Sequence, residues 1–180
     1  MLGGMESLPK RKDTQTGSGT DTGTGAGSGT EIRTGAGIRI VLDTNVVVAL
    51  LVFADPLLVA VRKALDRGSV IPLADDETLA ELERVLHYPE LRVDEERAVM
   101  IARHYRLLCT AVREGEQHGP LMRLPLCSDR DDQKFLLLAQ RGRAEWLLTR
   151  DKALLAMRRR VPFAIATPEA WITPSHAPGE

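Results

Sequence analysis

The chain has 180 residues, enough for one domain of ordinary size, and 43% of them are hydrophobic, which supports a real core. Its formal net charge of −1 provides no global basic field to announce a nucleic-acid partner. Only local patches remain, Arg141/Arg143 and Arg158-Arg159-Arg160, and the plainer reading of both is a solvated helix end. Cys109 and Cys127 make neither a disulfide framework nor a metal spacing. No apolar run reaches the roughly 18 residues of a membrane helix, and no signal-peptide core opens the chain. A cytoplasmic setting with reduced, partly buried thiols and no membrane partner is expected.

Residues 1–37 are expected to form a flexible tail, and in part an over-extended translation start. Thr14 to Gly37 is a Gly/Thr/Ser tract that buries too little to offset its ordering entropy. Its glycines make no phosphate loop, since no strand precedes them and no Gly-Lys-Ser/Thr comes after them. The folded domain is expected over residues 38–172, with a short flexible tail over 173–180. Ile38–Leu42 reads as a buried strand ending at Asp43, after which Asn45 opens a helix through Val46–Val52. Pro56 starts the next helix, which runs to about Arg67 and stops at Gly68. Val70–Leu73 is a short strand. Asp75 or Asp76 then caps a helix to about His87, stopped by Pro89, and a further helix spans about Asp94 to Leu108.

Thr110–Arg113 reads as a strand, and Gly119-Pro120 and Pro125 break the segment between it and Ser128. Asp131–Gln140 is helical, with Phe135–Ala139 apolar on every side and therefore expected to be buried. Trp146–Leu148 is a strand, Asp151–Arg159 a helix, Phe163–Ala166 a strand and Pro168–Trp171 a last helical turn. Strands alternating with helices predict a three-layer α/β/α fold with a central, mainly parallel sheet.

Two strands therefore deliver an aspartate at their carboxyl ends, Asp43 and Asp151, where open α/β sheets bind ligands. A third acidic cluster, Asp129, Asp131 and Asp132, lies between them in the chain. Carboxylates gathered in one pocket repel each other, so such a pocket is stable mainly around a cation, and oxygen ligands favour Mg²⁺ or Mn²⁺. Asp151 also reads as a helix N-cap, a role compatible with metal contact. Thr44 and Asn45 beside Asp43, and Thr149 before Asp151, are small polar residues suited to orienting a carboxylate, touching substrate or satisfying local backbone. His87, His104, His118 and His176 show no motif spacing and are read as structural or surface residues.

Four pieces, in order, resemble the PIN-domain nucleases: Val41-Leu42-Asp43-Thr44-Asn45-Val46; Leu79-Ala80-Glu81-Leu82-Glu83-Arg84-Val85-Leu86 with Pro89; Asp129-Arg130-Asp131-Asp132-Gln133-Lys134-Phe135-Leu136-Leu137-Leu138-Ala139; and Leu147-Leu148-Thr149-Arg150-Asp151-Lys152. Ile165-Ala166-Thr167-Pro168 also fits, and the resemblance covers residues 38–171. The subgroup it looks most like contains toxin components of bacterial toxin–antitoxin pairs. The resemblance implies a metal-dependent ribonuclease with an acidic quartet acting as catalytic and metal-binding residues. Asp43 is the first and Asp151 the fourth. Glu81 is the second by resemblance, since periodicity alone does not choose between it and Glu83. Asp132 is the preferred third, with Asp129 as the alternative. The family usually reads Asp-Pro-Asp-Asp here, and Arg130 replaces the proline.

RNA is the implied substrate, and an antitoxin protein and a second copy of the chain are the protein partners to be considered. Two other readings compete. A haloacid-dehalogenase-type phosphohydrolase also opens on a strand-end aspartate, but Asn45 stands where its second, proton-donating aspartate belongs. A non-catalytic PIN-like scaffold that binds RNA or protein is the other.

Overall fold

The structure, a computed structural model, describes residues 37–113, 115 and 122–171. The two predicted tails (apart from Gly37), Gly119-Pro120, His118 and His176 lie outside the described residues. Five strands form one sheet: β1 (Ile38–Leu42), β2 (Val70–Ala74), β3 (Thr110–Ala111), β4 (Trp146–Leu148) and β5 (Ala164–Ala166). Their order is β3-β2-β1-β4-β5 and every pairing is parallel. The helices are α1 (Thr44–Leu51), α2 (Val59–Asp66), α3 (Asp76–Leu86), α4 (Glu95–Leu108), α5 (Gln133–Arg141), α6 (Lys152–Ala156) and α7 (Pro168–Trp171).

Strand alternation divides the core in two. Ile40 and Leu42 of β1 and Leu148 of β4 pack with α1, α2, α3, α4 and Trp171 on one face. Val41, Leu73, Leu147 and Ile165 pack with Phe135, Leu136, Leu138 and Ala139 of α5, and with Leu154, on the other. A sheet covered on both faces explains why its central strands are continuous apolar runs. This is the predicted three-layer architecture. The chain leaves β1 toward β2 on one side and returns to β4 on the other, so the topological switch point falls between β1 and β4.

Several details differ from the sequence expectation. Asp43, not Asn45, is the N-cap of the first helix, because its carboxylate accepts from the Asn45 amide and its carbonyl accepts from Val46 and Val47. Pro56 opens a 3₁₀ turn, Pro56–Leu58, capped by Asp55, before α2 proper begins. Asp75, rather than Asp76, caps α3 in a reciprocal capping box with Thr78. The segment after Asp151 stays helical only to Ala156. Leu137 on α5 is 36% exposed, so that helix is not buried all round, because it covers one face of the sheet and turns its outer side to solvent.

Packing restricts position 142 to glycine. A Cβ on Gly142, at the end of α5, would lie 2.6 Å from Leu73 Cδ1 and 3.0 Å from both the Leu138 carbonyl and Val112 Cγ2. Gly142→Ala is expected to cost about 1–3 kcal/mol by overpacking, read as a lower midpoint in urea titration with unchanged slope. An unchanged midpoint would show that α5 moves freely on the sheet.

Candidate active site

The switch point carries the acidic residues. Asp43 follows β1 and is 3% exposed. Its Oδ2 accepts a hydrogen bond from Thr149 Oγ1 at 2.8 Å, and its Oδ1 accepts from the Asn45 amide at 3.4 Å. Thr149 follows β4, is fully buried, and also accepts at Oγ1 from the Asp151 amide at 2.9 Å. One hydroxyl thus ties the ends of β1 and β4 together and fixes both aspartates. Asp151 caps α6, with Oδ1 accepting from Ala153 at 2.6 Å and Leu154 at 3.1 Å. Its capping role is therefore real, and its other oxygen takes no part in it. Asn45 contributes its backbone amide rather than its exposed side chain, and Thr44 is buried.

Asp132 sits at the entry to α5 with helical backbone and caps nothing with its side chain. Burial comes first, and the charges of Asp151, Asp129 and Asp43 next, in pushing its carboxyl up to about 7. A protonated Asp132 hydrogen-bonds Asp151. Burial also raises the Asp43 carboxyl, opposed by the Thr149 and Asn45 hydrogen bonds and reinforced by the charges of Glu81 and Asp151. These mutual effects bring Asp43, Glu81, Asp132 and Asp151 into one electrostatic neighbourhood. Asp129 acts on Asp132 as well, but it is exposed and its Oδ1 accepts from the Asp131 amide at 2.9 Å in a local turn. Asp131 is exposed.

Glu81 reaches the site from α3, and its side chain is 16% exposed. Glu83, on the other flank of the same helix, is 52% exposed and pairs with Arg106 at 3.6 Å. Sequence reasoning missed the partner of Glu81, the ammonium of Lys134, which forms an ion pair with Glu81 Oε2. Lys134 comes from α5, two residues after Asp132, and no sequence spacing signals an encounter between two separate helices. Sequence reasoning also missed the pairing of Arg150, the residue before Asp151, with Asp55 at 2.9 Å and with Glu169. Cys109 is half-buried, Cys127 is buried, and both are free thiols.

Among the described residues, no three His, Cys, Asp or Glu side chains stand ready-made as an ion cage. The donor set nevertheless fits a hard divalent cation. The oxygens are carboxylate, burial first and neighbouring carboxylates next raise the proton affinity of Asp43 and Asp132, and Glu81 Oε2 is buried without a hydrogen bond despite its ionic contact with Lys134. Asp43, Asp132, Asp151 and Glu81 are the residues that would hold such an ion.

A search among curated proteins finds no match to the chain. The family model described as the PIN domain matches residues 39–153, from the second residue of β1 into α6, and so takes in all four acidic positions and Thr149. With this match, and with a parallel sheet that brings strand-end aspartates to its switch point, the chain belongs to the PIN-domain family of nucleases.

Proposed function

We propose that the chain is an endoribonuclease that hydrolyses RNA phosphodiester bonds with Mg²⁺ or Mn²⁺ at Asp43, Glu81, Asp132 and Asp151. The observation that carries this reading is the gathering of these carboxylates at the switch point, where burial first and the charges of Asp151, Asp129 and Asp43 next raise the Asp132 carboxyl to about 7. These four carboxylates would hold a divalent cation, which would supply an activated water and neutralise the oxygen that leaves phosphorus. The protein's own part is orientation. Thr149 and the Asn45 amide hold Asp43 in one rotamer, and the first turn of α6 holds Asp151. Without a cation the Asp132 carboxyl keeps its proton up to about pH 7, and binding a cation there would require that proton to leave. No histidine is required as general base.

The test is cleavage of an internally labelled RNA by the purified chain with Mn²⁺ and with chelator. Cleavage with Mn²⁺ that chelator abolishes is expected. Cleavage that survives chelator, or none under either condition with folded protein, would defeat the reading. One observation favours a second reading, a non-catalytic PIN scaffold: Lys134 already neutralises Glu81. RNA bound but never cut in the same assay would support it.

Thr149→Val tests the orientation. It keeps shape but strips Asp43 Oδ2 and the Asp151 amide of their shared partner. A loss of about 1–3 kcal/mol in stability and about 10–100-fold in cleavage is expected, with Thr149→Ser recovering most of both. Full activity in Thr149→Val would show that the hydroxyl positions nothing the reaction needs.

Motif resemblance alone supports a finer reading, that the chain is the toxin of a toxin–antitoxin pair. Arrest of a bacterial host by the expressed chain, relieved by Asp43→Asn and by one co-expressed antitoxin, would support it. Unimpaired growth with active enzyme present would contradict it.

A further inference from the structure

The ion pair between Lys134 and Glu81 lies within the proposed metal pocket and is almost removed from solvent, with side chains 12% and 16% exposed. Its ammonium sets a positive charge against the carboxylates that meet there. Among the described residues Glu81 Oε2 has no hydrogen bond to keep it in place, so ionic contact with Lys134 holds that oxygen. The same oxygen is the one a cation would need, and Lys134 already occupies it. In the same position Lys134 Nζ lies 5.7 Å from the centroid of the Phe135 ring, within the range of a cation–π contact, and its four-carbon stem is flexible enough to let the ammonium withdraw from Glu81.

We propose that Lys134 is a built-in counter-ion for Glu81 that a divalent cation must displace, so that this lysine sets the metal affinity of the site. The inference rests on the proposed metal-dependent reading and adds to it a competitor and a cost. Without metal, the ammonium relieves repulsion between Glu81 and Asp43 and spares a buried carboxylate from standing alone. With metal, Glu81 exchanges one cation for another. Lys134 is thus a positioning residue, acting on the site through Glu81.

Calorimetric titration of Mn²⁺ into the full chain tests this, using wild type, Lys134→Met, Lys134→Gln, Lys134→Arg, Glu81→Gln and the Glu81→Gln/Lys134→Met pair. Both neutral variants are expected to bind Mn²⁺ about tenfold or more tightly than wild type, the gain from removing a nearby competing charge. Lys134→Arg should stay within about threefold of wild type, since the charge is kept. In the Glu81→Gln background the gain from Lys134→Met should vanish, because the contested oxygen is no longer charged. In chelator, Lys134→Met should melt about 4 °C or more below wild type, having left Glu81 uncompensated.

Wild-type binding with an unchanged or weaker Kd in both neutral variants would overturn the inference while leaving the metal reading intact. So would a gain that persists undiminished in Glu81→Gln, which would mark a general field effect, or an unchanged melt in chelator. Absence of Mn²⁺ binding by every variant would overturn the metal reading itself, and the inference with it.

Discussion

Asp43→Asn is expected to lower RNA cleavage by about a thousandfold or more while leaving the fold intact. Asparagine keeps the size of the side chain, and its carbonyl oxygen can still accept from Thr149 or from the Asn45 amide. The variant loses one negative charge from a buried position where Glu81 and Asp151 already oppose it. Without metal it should therefore be as stable as wild type, or slightly more so, while its Mn²⁺ affinity falls. Initial rates of labelled-RNA cleavage, paired with thermal melts in chelator, separate these effects. Near-normal cleavage by metal-loaded Asp43→Asn would remove Asp43 from the reaction. A collapse of the melting temperature in chelator would make Asp43 a structural cap and nothing more.

The second large effect is a stability profile whose slope depends on metal. Asp132 titrates at about 7 in the folded protein against an ordinary value of 3.8, and Asp43 is raised in the same direction. Between those limits the native state binds more protons than the unfolded state. The contribution of these two carboxyls to stability without metal should therefore be greatest at the acidic end of that window, fall as pH rises through it, and level off above about 7. Metal binding needs the same carboxylates deprotonated, so stabilisation by Mn²⁺ should grow as pH rises through the same window. At about a hundredfold excess over Kd, binding to the native state alone contributes about 2.7 kcal/mol, or about 5–10 °C in melting temperature. Melts at pH 5 and pH 7.5, each with chelator and with Mn²⁺, give the four numbers needed. Equal Mn²⁺ shifts at both pH values would show that these carboxylates do not hold the ion.

Much of this arrangement was legible in the sequence because strand ends are local signals. Trp146–Leu148 and Pro168–Trp171 could be placed from apolar runs and a proline, and Asp43 and Asp151 are located directly by where their strands stop. Layer order was legible from alternation of strand and helix. The errors lie where a tertiary partner or the backbone decides. Leu137 is as apolar as its neighbours, and only the face of α5 turned from the sheet leaves it exposed. Asp43 took the cap expected of Asn45 because its backbone is extended, with φ −61° and ψ 149°, and can both end β1 and start α1. The pairing of Lys134 with Glu81 joins two helices far apart in the chain, and no periodicity reports it. The same holds for the Thr149 bridge between β1 and β4, whose candidate role was legible but whose two partners were not.

The central claim is that one divalent cation site lies at the carboxyl ends of β1 and β4 and is bounded by Asp43, Asp132, Asp151 and Glu81. An anomalous difference map from crystals grown with Mn²⁺ tests it most directly, because it locates the ion without reference to activity. The expected result is a peak within coordination distance of Asp43 and at least two of the other three carboxylates, with Lys134 withdrawn from Glu81. A peak held by Asp129 without Asp132, or saturating Mn²⁺ that gives no peak beside Asp43, would contradict it.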